Sequence, residues 1–308
     1  MGGFCGEAGG IHAGGGRMSG ADGAVYVIVV NWNNAGDTIR CLESLSGVNV
    51  TEMRVLVVDN GSTDGSADTI RKRFPQYGLL ELETNRMYGG GCNAGFELAR
   101  KEGAEYVIFL NNDTVVDPGF LEPLISSFRD HDAVAITVPR IYYMDFPDRL
   151  WYAGGEVDLR TGRVAHRGIR KKDGERFDRA CETEYATGCC LAMRVSDFSR
   201  FQGFDERFAL YGEDVDLSLR VREAGKRVLY VPASRVWHSV SASGAGELDV
   251  QKLWRKNLSL LRVLAKHRAW PGMAVYLLLA PYRVLTGTGA VLLSRMKTGF
   301  AEPSEGAR

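Results

Sequence analysis

A repeated pairing of a short apolar run with a helical pattern constrains this chain more than any other feature. The run AVYVIVV (Ala24 to Val30) precedes a helix predicted around Asp37 to Leu45. RVLVVD (Arg54 to Asp59) precedes one opening near Asp64 and running through Ile70 towards Phe74. LLELET precedes a glycine-rich turn and a helix predicted around Ala94 to Lys101, and EYVIFL (Glu105 to Leu110) ends in Asn111-Asn112-Asp113. Such alternation implies βαβ units and a largely parallel sheet. Strands apolar along their whole length belong to a sheet covered by helices on both faces, and ligands of such sheets sit beyond the carboxyl ends of the strands. The polar residues collect there: Asn31 and Asn33, Asp59 and Asn60, Asn85, and Asp113.

Beyond Asp130 the alternation becomes irregular, with strands predicted at AVAITV, near Trp151 to Val157, around Cys189 to Val195 and at RVLYVP. A mixed half-sheet is the expected result. From Asp249, LWRKNLSLLRVLAKHRAW has apolar residues at i, i+3 and i+4 with Arg and Lys between them, an amphipathic helix. The next segment, MAVYLLLAPYRVLTGTGAVLL, is broken by Pro281, Arg283 and Gly287/Gly289 before reaching the roughly 20 residues of a clean membrane span. It fits a helix lying in a membrane interface, a hydrophobic pair docked on the protein, or a homodimer contact. The glycine-rich start, residues 1–22, lacks an apolar leader and is expected to be a disordered tail. The expected organisation is therefore a tail (1–22), a main domain (23–245) and a helical segment (246–308).

Lys plus Arg equals Asp plus Glu at 38 each, so no global field favours nucleic acid, and any charge-based function is local. The six cysteines show no zinc-site spacing. Reduced thiols in the cytoplasm are the simplest reading, and Cys189-Cys190, on opposite faces of a strand, read as packing residues.

Three places could carry chemistry. Asp113, just after the fourth strand, is placed to hold a divalent cation or a ribose, or is a turn aspartate before Asp117-Pro118. Glu213-Asp214 opens a helix continued by Val215, Leu217, Leu219 and Val221. These acids either complement the helix N-terminus or supply a base. His238, after RVLYVPASRVW, is a ligand or a structural imidazole.

Taken in order, IVVNWNNAGDT, VVDNGSTDGS, NRMYGGGCNAG, LNNDTVVDPGF, TGCCLAMR, QGFDERF, YGEDVDLSLRVREAG and RVWHS resemble the segments of family-2 glycosyltransferases of the rhamnosyltransferase-like branch. The resemblance runs from about Ala24 to Ser241. It implies a GT-A fold, a Rossmann-like α/β mixed sheet, and inverting transfer of a sugar from a nucleotide diphosphate donor. Best matched is dTDP-L-rhamnose, with UDP-hexoses or UDP-galactofuranose behind it, and the implied acceptor is a cell-envelope glycan or lipid-linked saccharide. By position, Asp113 and His238 would hold Mn2+ or Mg2+, Asp214 would be the general base and Glu213 a positioning or acceptor-binding group. Asn31, Asn33, Asp59, Asn60, Asn85, Gly91, Asn93, Asn111, Asn112 and Asp113 would line the donor site. Met87 stands where the family has glycine, which leaves the contacts of that loop open. Trp151 and Trp237 either face the acceptor sugar or pack. The apolar tail suits a place on the inner face of the cytoplasmic membrane. The rival reading is a non-catalytic nucleotide-sugar-binding scaffold. An NAD-linked oxidoreductase is disfavoured, because NWNNAGDT stands where GxGxxG would be needed.

Overall fold

A computed structural model describes residues 23–50, 52–208, 211–239 and 250–279. The expected tail (1–22), Cys5 and the apolar segment beyond residue 279 lie outside the described residues. The chain divides into two compact units, Met1–Val157 with Val164–Val240, and Asp158–Arg163 with Ser241–Arg308.

The first unit opens with β1 (Val25–Asn31), α1 (Ala35–Ser46), β2 (Met53–Asp59), α2 (Ser66–Arg73), β3 (Gly78–Glu81), α3 (Met87–Lys101) and β4 (Tyr106–Asn111). These four strands are parallel, with β1 between β2 and β4 and with β3 outermost. The apolar runs dictate this. Val25, Val27, Ile28 and Val29 of β1 are completely buried, as two covered faces require. Helix α1 buries Thr38, Cys41, Leu42 and Leu45 on one stripe, and the Asn34 side chain caps it by accepting from the Asp37 N–H.

Next come β5 (Thr114–Val116), α4 (Leu121–Asp130), β6 (Val134–Tyr143), β7 (Leu150–Tyr152), β8 (Gly155–Asp158), β9 (Arg163–His166) and β10 (Cys181–Glu182). The unit closes with β11 (Cys190–Arg194), α5 (Val195–Arg200), α6 (Glu213–Glu223) and β12 (Arg227–His238). Strand β11 lies antiparallel between β4 and β6, and β12 runs parallel to β6. The expected mixed half-sheet is thus joined to the parallel half through β11. Cys189 and Cys190 are buried free thiols, raised above the ordinary thiol range first by burial.

The strand expected near Trp151 to Val157 is two strands, β7 on the large sheet and β8 paired with β9, and two further elements differ from the sequence reading. Helix α3 begins at Met87, seven residues before the predicted start, so Gly89-Gly90-Gly91 is helical and not a turn. Glycine in a helix interior costs about 1 kcal/mol relative to alanine, and packing offsets it. A Cβ on Gly91 would sit 2.9 Å from Val30 Cγ1, and one on Gly95 2.7 Å from Ile28 Cγ2 and 2.8 Å from Val58 Cγ2. Glycine lets α3 lie directly on β1 and β2. Strand β12 runs beyond Pro232 to His238, with a register shift between Val231 and Arg235. The irregularity falls where proline removes a ladder donor.

In the second unit, α7 (Val250–Lys266) and a helix over 270–279 pack Leu260, Leu261, Leu264, Ala269, Met273 and Tyr276 with Leu159. Among the described residues no helix is long and apolar enough to cross a membrane.

Because both neighbours of Gly95 are stiff β-branched side chains, Gly95→Val should destabilise the protein by about 1–3 kcal/mol through overpacking. Urea unfolding followed by circular dichroism measures this; an unchanged midpoint would contradict the close approach.

Candidate active site

Three residue pairs join β5 to β12 antiparallel: Val116 with Val236, Val115 with Trp237 and Thr114 with His238. The Ser239 N–H adds a bond to the Asp113 carbonyl at 2.8 Å. This ladder brings His238 Nε2 to 3.1 Å from Asp113 Oδ1. The two atoms are not hydrogen-bonded, and Oδ1 is buried without a hydrogen-bond partner, as is His238 Nδ1. The arrangement fits a cation: two ligands at right angles around an ion held at 2.0–2.1 Å lie about 3.0 Å apart. Among the described residues no group of three or more His, Cys, Asp or Glu is placed to hold a metal. Two protein ligands suit an ion whose remaining positions go to substrate phosphates and water.

The second acidic group stands at the start of α6, after Tyr211 and Gly212 in the left-handed region at φ 68° and 91°. This turn aims the helix start at the segment Thr187–Cys189. Asp214 Oδ2 accepts from the Gly188 N–H at 2.8 Å and Oδ1 from the Val215 N–H at 2.8 Å. One residue on, the Cys189 carbonyl accepts from the Asn111 N–H at 2.9 Å, tying this segment to the end of β4. The charges of both Asp113 and Asp214 act on the buried Cys189 thiol. The acid of the late helix and the aspartate of the early strand therefore converge on one segment.

The two adjacent acids differ in their surroundings. Glu213 is buried, its Oε2 has no partner, and its carboxyl is pushed up to about 8 by burial and then by the charge of Asp214. Burial also raises Asp214, against the opposing pull of backbone donors led by Gly188. Burial and the neighbouring charge thus favour the protonated form of Glu213, while backbone donors favour the charged form of Asp214, which is partly exposed.

The polar residues at the carboxyl ends of β1, β2 and β4 form a braced rim. Asn112 Nδ2 donates to Thr38 Oγ1 at 2.9 Å, Thr38 Oγ1 to Asn31 Oδ1 at 2.7 Å, and Asn31 Nδ2 to Asp59 Oδ1 at 2.8 Å. Asp59 Oδ2 accepts from the Ser62 N–H, and Asn33 Oδ1 from the Thr63 N–H. Asn60 donates to Asn85 Oδ1 and the Met87 carbonyl while accepting from the Arg86 N–H. Asn31, Asp59 and Asn60 are buried, so their side chains shape the rim from beneath. Met87 takes φ 60°, the left-handed conformation in which glycine is favoured, at the first position of α3.

Other expected donor or acceptor residues are placed elsewhere. Gly91 faces Val30, and Asn93 is bonded to the backbone of Phe204 and to Glu206. Asn93 lines a cavity of about 540 Å³ between α3 and the segment 198–206, which contains none of Asp113, Asp214 and His238. Trp237 falls on the face of β12 opposite His238 and stacks on Tyr142 at 5.6 Å. Trp151 does reach His238, edge to face at 4.6 Å. Sequence reasoning assigned no role to Gly188 or Tyr88; the TGCC segment was the available signal for Gly188. Tyr88 donates to the Gly188 carbonyl at 2.5 Å, which steadies the peptide whose N–H meets Asp214.

The sequence model of "Glycosyl transferase family 2" matches residues 26–201, more than half of the chain. The chain belongs to glycosyl transferase family 2. A second model, "N-terminal domain of galactosyltransferase", matches residues 171–240. The chain is 30% identical over 267 residues to the N-acetylglucosaminyl-diphospho-decaprenol L-rhamnosyltransferase of Mycobacterium tuberculosis, covering 79% of this chain and 85% of that one. It is 25% identical to the rhamnosyltransferase WbbL of Escherichia coli K12, covering 79% of this chain and 94% of that one. In fold it is similar to a crystal structure of GalNAc-T7 with UDP, GalNAc and Mn2+, at TM-score 0.62 and 16% identity. That match covers 80% of this chain, which spans about half of the solved one (48%). The GT-A fold implied by the sequence resemblance is therefore observed.

For this family-2 glycosyltransferase the Glu213 environment has a measurable consequence. A carboxyl raised from 4.5 to about 8 in the folded state contributes stability that is complete below about 4.5 and lost as pH rises through about 8. Glu213→Gln should flatten that decline across the window in urea unfolding at a series of pH values. An unaltered pH dependence would show that Glu213 titrates normally.

Proposed function

We propose that the chain performs an inverting, cation-assisted transfer of a sugar, best matched by L-rhamnose from dTDP-rhamnose, to a hydroxyl of a cell-envelope glycan or lipid-linked saccharide. The observation that carries this reading is the 3.1 Å approach of His238 Nε2 to a buried Asp113 Oδ1 that has no hydrogen-bond partner, tied through Asn111 and Cys189 to the Asp214 carboxylate. Asp113 and His238 would hold Mn2+ or Mg2+. Such an ion supplies positive charge for the departing nucleoside diphosphate.

Asp214 takes the proton of the acceptor hydroxyl as its oxygen bonds to the anomeric carbon and the bond from that carbon to the diphosphate breaks. One displacement with attack opposite the leaving group inverts the anomeric configuration. Late proton removal suits a carboxylate, because the hydroxyl becomes acidic as the new bond forms. Gly188 orients Asp214, and the protonated Glu213 can donate a hydrogen bond to the acceptor. The rim formed by Asn33, Asp59, Asn85 and Asn112 borders the nucleotide.

The relatives support rhamnose as the sugar, since two of them are rhamnosyltransferases. An acceptor on a lipid carrier agrees with the second unit. Residues 254–279 contain no Asp or Glu, and Arg255, Lys256, Arg262, Lys266 and Arg268 are all exposed. Trp254 is 68% exposed and Trp270 55%. Helical spacing puts Trp254, Arg255, Leu258, Arg262 and Lys266 on one arc of α7, the pairing of indole and cation that suits an anionic membrane interface. We place the enzyme on the inner face of the cytoplasmic membrane by this surface.

Asp214→Asn should abolish transfer while leaving donor binding near that of the wild type; wild-type turnover would refute the base assignment. Asp113→Ala should weaken Mn2+-dependent binding of the donor, and EDTA should stop nucleoside diphosphate release in a screen of nucleotide sugars. Nucleotide binding without turnover by the wild type on any donor would favour the scaffold reading. The wild type should co-sediment with phosphatidylglycerol vesicles but not with phosphatidylcholine vesicles, and Trp254→Glu/Arg255→Glu should release it. Equal recovery of both proteins with phosphatidylglycerol would contradict that surface.

A further inference from the structure

Trp151 is expected, from sequence, to meet the acceptor sugar or to pack. The structure gives it a more specific setting. A histidine that ligates a cation through one ring nitrogen is usually oriented by a hydrogen bond from the other. His238 lacks that device: its Nδ1 is buried and has no partner, while its Nε2 faces Asp113. The ladder to β5 and the bond from the Met144 N–H to the His238 carbonyl fix the backbone of His238 but leave its ring plane undetermined.

What bounds the ring is the indole of Trp151, whose plane meets it at 76° with centroids 4.6 Å apart. The Trp151 indole is held in turn by His166, at 4.4 Å and again 76°. His166 is tied to the same residue, with Nδ1 3.1 Å from the Trp151 carbonyl oxygen, and its ring also packs on Tyr152 and Tyr185. Strand β7 carries Trp151 and pairs with β6, so the indole is presented from a rigid element.

We propose that Trp151, backed by His166, is a positioning residue that sets the His238 imidazole for cation binding by aromatic packing, in place of a hydrogen bond. The proposal rests on the reading of His238 as a ligand and adds a residue to it. It also separates Trp151 from acceptor recognition: loss of the indole acts on the cation before any acceptor is present.

The test is Mn2+ binding to the full chain with dTDP present and no acceptor, followed by electron paramagnetic resonance with pulsed detection of imidazole nitrogen. Trp151→Leu keeps apolar bulk and Trp151→Phe keeps an aromatic ring. The expected result is an affinity loss of about 10-fold or more for the leucine variant, the range seen when an outer partner of a metal-bound histidine is lost. The nitrogen signal should weaken with it, while the phenylalanine variant stays close to wild type in both. Far-ultraviolet circular dichroism confirms folding, and His166→Leu, which leaves Trp151 in place, should show the same loss in weaker form. If His238→Ala abolishes the nitrogen signal but both leucine variants retain wild-type affinity and signal, the positioning role is overturned and the ligand reading stands. If His238→Ala itself leaves affinity and signal unchanged, the ligand reading fails and takes the proposal with it.

Discussion

The antiparallel ladder between β5 and β12 is the constraint on which the site depends. It is only three pairs long, yet it sets Thr114 opposite His238 and so fixes Asp113 beside an imidazole from the far end of the sheet. Groups carried on hydrogen-bonded strands are held more closely than groups on loops. The other edge of β12 is paired with β6 as far as His238 itself, so both sides of the strand are anchored where the ligand side chain leaves it. The irregularity at Pro232 lies upstream, and the last pairs, from Arg235 to His238, continue in register.

A second constraint is electrostatic. Asp113 and Asp214 both raise the Cys189 thiol, and Glu213 adds a third buried or partly buried carboxyl in the same region. Like charges gathered in a low-dielectric setting disfavour one another's ionisation. The structure resolves this unevenly. Asp214 accepts from the Gly188 and Val215 N–H groups, which favour its charge; Glu213 Oε2 has no hydrogen-bond partner, and burial favours the protonated form of that carboxyl. Two adjacent residues of one helix start thus differ in what surrounds them, and the peptide of Gly188, steadied by Tyr88, contributes to the difference.

Much of the parallel half was legible because its strands are apolar from end to end and its helices carry one buried stripe. The start of α3 was hidden for the opposite reason. Three glycines and a preceding Asn-Arg read locally as a turn, and only the proximity of Val30, Ile28 and Val58 explains why a helix needs them. The extent of β12 was masked by Pro232. At the site, Asp113, Asp214 and His238 could be singled out by residue type and resemblance, but their meeting is a matter of strand order that no local pattern encodes. The rim asparagines show the limit most clearly. Asn31 and Asn60 sit where a ligand-binding residue would, yet their amides are taken up by partners from neighbouring loops. Trp237 and His238, adjacent in sequence, were separated by the alternation of strand faces.

The chemistry proposed for the site requires that the aspartate after β4 and the imidazole ending β12 share one cation. Anomalous diffraction at the manganese edge from crystals grown with Mn2+ and dTDP measures this directly. One peak at about 2.1–2.3 Å from both an Asp113 carboxylate oxygen and His238 Nε2, with diphosphate oxygens completing the shell, is the predicted result. A manganese peak with dTDP bound but away from either side chain would contradict it.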